Sequence, residues 1–440
     1  MEVWALVMFA ALMVTLLLGY PVAFTLGAIS LLFGSIFLDL SFFNLLPMRI
    51  WGIMTNFTLL AVPLFVFMGV ILEKSGLAED LLETMGLLFG SLRGGLALSI
   101  VVVGAMLAAT TGVVGATVVT MGIIALPSLL KNGYSPALAT GTIATSGTLG
   151  QIIPPSIVLI LLGDMIGVPV GRLFIGAVIP GTLLIILYLV YIALKAWHHP
   201  QSAPALAGDT HAWDMNFFWR VLKSVLPVLL LIFAVLGTIF FGVATPTESG
   251  AFGAMGALLL AVLHKRLTLE NLRDAMQHTT RLTSMVFLIL IGATAFGLVF
   301  RGMGGDHLVH EIFTQLPGGE WGFIFLSLLL IFILGFFLDF LEICFIVVPI
   351  LAPIATHFQI DLLWFAILIA VNLQTSFITP PFGFSLFYLK AVAPPEMRIG
   401  VIYRGIVPFV ILQVLGLTLL VIFPQLTLWL PNLFDKWHSF

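Results

Sequence analysis

Cysteine and charge are both scarce in this sequence. It contains one cysteine, Cys344, and only 8% of its 440 residues are charged. A single cysteine excludes a disulfide framework and a zinc site built from cysteine pairs. The formal net charge is −3 and no block of basic residues occurs, which argues against nucleic acid as a partner. The chain is instead 61% hydrophobic with a mean hydropathy of +1.20, which indicates an all-α polytopic protein of the lipid bilayer.

Motifs of common enzyme classes are also missing. There is no GxxxxGK[ST] phosphate-binding loop, so we expect the chain not to use ATP. His307 and His310 precede Glu311, yet neither HExxH nor HxxEH is formed. We therefore expect that the protein is not an enzyme. A membrane-embedded enzyme stays open as an alternative that a metal-dependent, chelator-sensitive activity would support.

Long apolar runs predict the membrane topology. Ten crossings are predicted, at 3–18, 20–38, 57–73, 136–165, 172–194, 225–241, 248–263, 282–300, 361–392 and 404–423. The first run has no basic residue before it, so we interpret it as a retained span and not as a signal peptide. Regions 94–130 and 321–358 each contain two short apolar arms around a polar or glycine-rich tip. Because a crossing needs about 20 apolar residues, we interpret both as re-entrant hairpins, with two short or tilted crossings as the alternative.

Positive charge orients these segments in the membrane. With the N-terminus outside, 13 of the 17 lysines and arginines fall on the inner side, as the positive-inside rule requires. The mouth of the 94–130 hairpin then faces the cytoplasm, and the mouth of the 321–358 hairpin faces outward. Each hairpin follows an amphipathic segment and precedes a segment with a Pro-Pro pair, so the two halves form an inverted repeat. The polar stretch 196–218 is predicted to be a cytoplasmic linker between them.

The two Pro-Pro pairs lie inside predicted crossings, at 136–165 and 361–392. Proline lacks the amide hydrogen and clashes with the preceding turn, so each pair is expected to break its helix. Free backbone groups in hydrocarbon are unfavourable by roughly several kcal/mol unless they line a cavity or bind a ligand. The N-terminus of a half-helix suits a carboxylate, and C-terminal carbonyls beside hydroxyls suit Na⁺. Paired broken helices therefore predict the binding site of a transporter.

Small and polar residues beside the hairpin tips and the breaks are the candidate ligands. The predicted Na⁺ ligands are Gly112, Gly115, Thr145, Ser146 and Gly147 in the first half, and Asp339, Glu342, Asn372, Thr375 and Ser376 in the second. The predicted substrate-binding residues are Thr111, Thr117, Thr148 and Thr379. Alternatively, such residues only help membrane helices to pack. Asp339 and Glu342 also have the spacing of a helix capping box, as do Thr245 and Glu248.

Several blocks of the sequence resemble one family. They are GYPVAFTLG at 19–27, LLAVPLFVFMGVILEKSGLAEDL at 59–81, GATVVTMGIIALPSLLKNGYSPALATGTIATSGTLGQIIPPS at 115–156, GVATPTESGAFGA at 242–254 and VPILAPIATHFQIDLLWFAILIAVNLQTSFITPPFGFSLFYLK at 348–390. In this order they are similar to the large membrane subunit of tripartite ATP-independent periplasmic (TRAP) transporters, over nearly the whole chain. The resemblance implies a Na⁺-driven importer of organic acids in the bacterial inner membrane.

The resemblance also implies partners and a mechanism. The partners are a small four-helix membrane subunit and a soluble periplasmic binding protein that delivers a carboxylate-bearing substrate. We expect an unfused form, because the first predicted span begins at residue 3. The implied fold is of the elevator type found in the ion-transporter superfamily. Its transport-domain repeats would be 94–165 and 321–392, and its scaffold 1–93, 166–320 and 393–440. The family's cation-site loops correspond here to 112–117 with 145–154 and to 338–342 with 372–380, with the substrate between them.

One departure and two alternatives complete the expectations. Many relatives have a small residue near the position of Glu342, so a carboxylate here would alter the ion stoichiometry or only cap a helix. An alternative function is a stand-alone ion-coupled dicarboxylate carrier of the divalent-anion type, which needs no binding protein. A non-catalytic membrane anchor is disfavoured by the unfavourable polar breaks at membrane depth.

Overall fold

A computed structural model of the chain describes residues 1–111, 114–205, 215–315 and 317–438. Within these ranges every regular element is helical, which confirms the all-α class. Seven of these helices are long and apolar enough to cross a membrane, and an eighth span results if the bent pair Leu40–Met54 and Thr58–Lys74 is counted as one. This length criterion excludes helices shorter than 18 residues, and it includes the second arms of both predicted hairpins.

The helices follow the predicted segments closely in the first half. They are α1 (Glu2–Leu17), α2 (Val22–Phe37), α3 (Leu46–Met54), α4 (Ala61–Lys74), α5 (Leu77–Phe89), α6 (Gly95–Thr111), α7 (Val114–Lys131), α8 (Pro136–Thr148), α9 (Ile157–Ile166) and α10 (Val170–His198). Short 3₁₀ turns at Leu40–Leu45, Thr58–Leu60, Leu149–Gln151 and Pro200–Ser202 connect some of them.

The second half repeats much of this order. Its helices are α11 (Met215–Phe240), α12 (Pro246–Leu263), α13 (Leu269–Gly302), α14 (Gly305–Thr314), α15 (Gly319–Leu334), α16 (Phe340–Glu342), α17 (Val348–His357), α18 (Leu362–Ile378), α19 (Phe384–Val392), α20 (Ile399–Ile422) and α21 (Gln425–His438). A π-helical turn, Ile343–Val347, joins α16 to α17.

The two ends of the first hairpin, α6 and α7, lie together. The Tyr134 hydroxyl, which follows α7, accepts a hydrogen bond from the Leu96 amide in the first turn of α6, at 3.2 Å. The start of the linker closes the same end, because Gly94 N donates to Ala203 O and Ser135 N donates to Ser202 O, both at 2.9 Å. The two arms therefore start and finish at one level, as both a re-entrant hairpin and two antiparallel crossings require. These bonds also show that the first part of the linker is bound to the hairpin mouth.

Aromatic packing joins the two ends of the second hairpin, α15 to α17. The ring of Phe323, at the start of α15, lies 5.5 Å from that of Phe358, just after α17. Phe313 of α14 and Phe365 of α18 pack on the same ring at 5.4 and 5.6 Å. The far end of this hairpin is the turn before α16, where Asp339 lies. Its two arms therefore also start and finish at one level.

Both Pro-Pro pairs interrupt their helices, as predicted. The first lies between α8 and α9, and the second between α18 and α19; both Pro-Pro peptide bonds are cis. Serine side chains bridge the breaks: Ser156 Oγ donates to Gln151 O at 2.8 Å, and Ser385 Oγ donates to Phe377 O at 3.0 Å. Each break therefore leaves a helix C-terminus and a helix N-terminus inside the protein.

Four elements differ from the prediction. Helix α3 was not predicted, and α11 begins at Met215, inside the predicted linker 196–218 and before the predicted crossing at 225–241. Helix α13 begins at Leu269, whereas the predicted crossing begins at 282. The helix starts earlier because the Thr268 side chain caps it by accepting from Asn271 N at 3.0 Å. The predicted crossing is therefore only the apolar part of a 34-residue helix, roughly 50 Å long. Helix α21 was not predicted, because its run is interrupted by polar residues. It packs on α10, where Arg172 pairs with Asp435 at 2.8 Å.

Candidate functional site

A cavity of about 490 Å³ lies where both hairpin tips approach α4 and α13. The first hairpin contributes the start of α7, including Gly115, and the second contributes Asp339 and the residues after it. This wall is completed by the start of α9 and by Tyr388 in the middle of α19. Both hairpin tips and both helices that follow the breaks therefore line the cavity.

The opposite wall is formed by one face each of α4 and α13. Its polar groups are Glu73 and Lys74 at the end of α4 and His278 on α13, and its other residues are apolar. The end of α4 is the predicted cytoplasmic end. The cavity therefore extends from the hairpin tips toward the predicted inner surface. Lys74 also pairs with Asp274 of α13 at 3.7 Å.

A second cavity lies farther along α13. It has a volume of about 320 Å³ and is bordered by α13 from Leu290 to Arg301, by α3, by the end of α9 and by the second arm of the second hairpin. Arg49 and Asp164 are among its polar groups. Both cavities thus separate α13 from the hairpins and broken helices, one toward each predicted membrane surface.

The last turn of α8 contains two predicted Na⁺ ligands, Thr145 and Ser146, and one predicted substrate-binding residue, Thr148. Thr145, Ser146 and Thr148 are fully or almost fully buried. The Thr145 and Thr148 hydroxyls donate to the carbonyls of Gly141 and Thr145, both at 2.8 Å. In the described part of the chain, the hydroxyl oxygen of Ser146 has no hydrogen-bond partner. Because a donating hydroxyl keeps its lone pairs, all three oxygens could still bind a cation.

The structure places the remaining first-half candidates less completely. Gly147 packs so closely on Val118 of α7 that an added Cβ would clash, so this glycine has a packing role of its own. Thr117 is buried. Gly112 and the side chain of Thr111 lie outside the described residues. The tip of the first hairpin is therefore described only from Val114 onward.

The predicted second-half ligands gather in the last turns of α18. Asn372 Nδ2 donates to Leu328 O of α15 at 2.7 Å. The hydroxyls of Thr375, Ser376 and Thr379 donate to carbonyls of their own helix at 2.6 to 2.8 Å. Such bonds are equally typical of hydroxyls that only pack in membrane helices. The geometry therefore gathers these three hydroxyls and the Asn372 amide at the C-terminal end of α18.

Asp339 and Glu342 form the predicted capping box at the second tip. Glu342 Oε2 accepts from Asp339 N, and Asp339 Oδ1 accepts from Phe340 N, both at 2.8 Å. Glu342 is buried at 7% exposure, whereas Asp339 is half-buried at the cavity wall. The second predicted box is also present, because Thr245 N donates to Glu248 Oε2 at 2.7 Å.

Sequence reasoning missed a link between the two halves. Gln374 Nε2, in α18, donates to Thr148 Oγ1, in α8, at 3.4 Å. Among the described residues, Gln374 Oε1 and both polar atoms of Gln151 are buried without partners. A glutamine inside an apolar helix beside a break does indicate a buried polar site, because buried amides normally require hydrogen bonds, but the sequence does not show its partner.

Two further hydrogen bonds cross from α4 and its preceding turn to the hairpin and broken-helix elements. Thr120 Oγ1 of α7 donates to Glu73 Oε1 at 2.8 Å, beside the first cavity. Asn56 Nδ2 donates to Asp164 Oδ1 of α9 at 2.6 Å, beside the second. Asn56 is itself held in place because its Oδ1 accepts from Thr58 N at 2.9 Å. No local sequence pattern connects these residues, so only the structure reveals them.

Comparison with known proteins gives consistent results. The family model of the "Tripartite ATP-independent periplasmic transporter, DctM component" matches residues 9–426. The C4-dicarboxylate TRAP transporter large permease protein DctM of Vibrio cholerae is 30% identical over 441 residues, covering 95% of each chain. The sialic acid TRAP transporter large permease protein SiaM of the same organism is 29% identical over 419 residues, covering 94% of this chain and 96% of SiaM.

A solved structure shares the fold. The Alcanivorax borkumensis YdaH transporter superposes with a TM-score of 0.63 over 95% of this chain and 98% of its own, at 15% identity. The family match spans most of the chain, and the described helices include seven that are fit to cross a membrane. The chain is therefore a multi-pass protein of the bacterial inner membrane and belongs to the DctM, or large permease, component of the tripartite ATP-independent periplasmic transporters.

Proposed function

We propose that the protein imports an organic acid by Na⁺-coupled secondary active transport. The observation that carries the proposal is the cavity between the two hairpin tips, the two helices that follow the breaks, and α4 with α13. Such a cavity beside broken helices is the arrangement that secondary transporters use for substrate and coupling ions. The relatives named for C4-dicarboxylates and sialic acid support a carboxylate as cargo.

Na⁺ would bind at the C-terminal ends of α8 and α18. Thr145 and Ser146 would act in the first half with Gly112, Gly115 and the Gly147 backbone. In the second half, Asn372, Thr375 and Ser376 would act with the tip at 339–342. Hydroxyl, amide and carbonyl oxygens at helix C-termini are the ligand type that such cations prefer. Each Na⁺ that enters down the membrane potential would supply about 2.3 kcal/mol per 100 mV.

We further propose that the two halves form an inverted repeat that moves as an elevator. The order of amphipathic helix, hairpin and broken helix occurs twice, and the two cavities lie along one helix, α13. Between Leu282 in the first cavity and Gly297 in the second, the helix rises by roughly 22 Å. A body that moved along α13 would open one cavity and close the other.

Packing suggests which helices move in this proposal. Helix α20 packs on α8 and α18, and α10 packs on α6, α9, α18 and α20. Helices α4, α12 and α13 pack mainly on each other and on α2 and α11. We therefore assign α10 and α20 to the moving body, although the sequence boundaries placed them in the scaffold.

The proposed partners are a small four-helix membrane subunit and a periplasmic binding protein, in keeping with a tripartite system. The test is uptake of radiolabelled organic acids into proteoliposomes that contain the chain and its small subunit. We expect uptake only with an inward Na⁺ gradient and with the binding protein outside. Uptake driven equally by K⁺ would overturn Na⁺ coupling. Uptake by this chain alone would favour the stand-alone dicarboxylate carrier.

A further inference from the structure

The wall of the first cavity contains a carboxylic acid, although the proposed cargo is itself an anion. Asp339 borders this cavity at the tip of the second hairpin, and Glu342 is buried directly behind it. In the described part of the chain, no basic side chain lies within 4.0 Å of the Asp339 carboxylate. Two like charges at close range repel each other unless a hydrogen-bond donor lies between them. A hydrogen-bond donor on the cargo would remove this repulsion at Asp339.

The orientation of Asp339 is fixed by the main chain. Its Oδ1 accepts from Phe340 N at 2.8 Å, and its own amide donates to Glu342 Oε2 at 2.8 Å. These bonds hold the carboxylate at the cavity wall, and its remaining lone pairs can accept from a ligand. A residue held in this way by its own helix cap presents an acceptor in a constant position.

Tyr388 lies on the same wall. It is 40% exposed at the cavity, and its ring packs against Gly115 at the first tip. A phenolic hydroxyl both donates and accepts, so it can bind a hydroxyl of a ligand while Asp339 accepts from that ligand.

We propose that Asp339 and Tyr388 form a subsite for a hydrogen-bond donor on the cargo, so that the protein carries a hydroxy- or amino-substituted organic acid in preference to the unsubstituted one. The proposal rests on the proposed import of organic acids, and it assigns Asp339 to the substrate instead of to Na⁺. An acid without the donor would leave Asp339 unpaired opposite a second carboxylate. Sites that hydrogen-bond a ligand group discriminate strongly against analogues that lack it.

The test uses thermal unfolding of the purified complex of this chain with its small membrane subunit, in Na⁺. The probes are matched triplets of a plain acid, its 2-hydroxy form and its 2-amino form: propionate, lactate and alanine; succinate, malate and aspartate; glutarate, 2-hydroxyglutarate and glutamate. In at least one triplet we expect a substituted member to stabilise the complex at a concentration about 10- to 100-fold lower than the plain acid does. The hydroxy and amino members separate the two kinds of donor.

Two variants locate the selectivity. Asp339→Asn keeps the size of the side chain and its ability to cap α16, and Tyr388→Phe removes only the hydroxyl. Both variants are expected to reduce the preference for the substituted acid over the plain acid to about threefold or less. Asp361→Asn is the matched control, because Asp361 caps α18 by accepting from Leu363 N at 2.9 Å and does not border the cavity. It is expected to keep the preference.

Specific outcomes would overturn the proposal. These are equal stabilisation within every triplet, no stabilisation by any substituted acid, or an unchanged preference in both cavity variants. A Na⁺ requirement that shifts strongly in Asp339→Asn, without loss of acid selectivity, would return this residue to the cation site. Na⁺-driven uptake by the wild-type three-part system is measured separately, so failure of the coupling and failure of the subsite are distinguishable.

Discussion

At the scale of single residues, hydroxyls at the two helix breaks differ in how far their hydrogen bonds are satisfied. Thr375 donates to Val371 O at 2.8 Å, whereas Ser146 Oγ is buried without a partner among the described residues. An unpartnered buried oxygen is unfavourable by about 1–3 kcal/mol, so a functional ligand is a sufficient reason to retain it. Because Ser146 also lies in the last turn of α8, where helix carbonyls end beside the break, it is the strongest single candidate for contact with a cation.

Loss of these hydroxyls should weaken Na⁺ dependence. We expect Ser146→Ala to raise the Na⁺ concentration for half-maximal uptake by about tenfold, because one cation ligand is removed, and Thr375→Ala to have a similar or smaller effect. The measurement is initial uptake into proteoliposomes over a Na⁺ series. Ser327→Ala, another buried serine without a partner but in the middle of α15, is the control. An unchanged Na⁺ dependence in both break variants would count against the site.

At the scale of elements, close backbone contacts decide how the broken helices are held. Gly405 of α20 lies so near Ala137 O of α8 that an added Cβ would clash with the carbonyl, and Gly141 approaches Gly405 in the same way. A backbone carbonyl in a helix cannot move aside as a flexible side chain can. The α8–α20 contact therefore depends on glycine at both positions.

Gly405→Ala should separate α8 from α20. We expect a loss of stability of about 1–3 kcal/mol, measured as a lower thermal midpoint of the purified protein. Gly400→Ala, in the same helix but with no atom within 4 Å of the added Cβ, is the matched control and should be neutral or slightly stabilising. Equal effects of the two substitutions would contradict the proposed contact.

The mouth of the first hairpin gives a second prediction at this scale. Tyr134→Phe removes the acceptor of the Leu96 amide while keeping the ring, which is buried. Leaving the amide unpaired should cost about 1–3 kcal/mol and lower the thermal midpoint. Tyr20→Phe, at an exposed position, should have no comparable effect. A midpoint for Tyr134→Phe equal to that of the wild type would show that water satisfies the amide and that this bond does not stabilise the mouth.

At the scale of the whole molecule, α13 is bordered by one cavity toward each predicted membrane surface. The two hydrogen bonds Glu73–Thr120 and Asn56–Asp164 join the helices on either side of these cavities. In the elevator proposal both bonds belong to the conformation described here, in which the larger cavity extends toward the cytoplasm. Each bond would then have to break when the body moves.

Thr120→Val should shift the conformational balance toward the opposite state. One hydrogen bond to a charged group is worth about 1.5–3 kcal/mol, so the ratio of states should change by about tenfold or more. In a Cys344→Ala background, Val66→Cys reports on the larger cavity and Thr294→Cys on the smaller one. With thiol reagents applied from the corresponding sides, labelling of the first should fall and that of the second should rise.

The control for this experiment is Thr120→Ser, which keeps the hydroxyl. It should label like the parent protein at both positions. If labelling in Thr120→Val changes at neither position, the Glu73–Thr120 bond does not set the conformation. If both positions become more reactive together, the substitution loosens the protein and does not move it between two states.

The sequence by itself determined the helical class, both helix breaks and both capping boxes. These features follow from local chemistry: apolar length, the missing amide of proline, and the fixed spacing between Asp339 and Glu342 or between Thr245 and Glu248. It also identified the hydroxyl clusters in α8 and α18. Helix α21 was not predicted because its apolar run is short and is interrupted by polar residues.

Only the tertiary structure decided which of these groups face each other. Gln374 meets Thr148, Thr120 meets Glu73, and Tyr388 joins Asp339 at one cavity wall. These residues come from helices far apart in the chain, and periodicity shows the face of a helix but not the partner of that face. The contacts depend on how glycine-lined helices approach in three dimensions, which a single sequence does not encode locally.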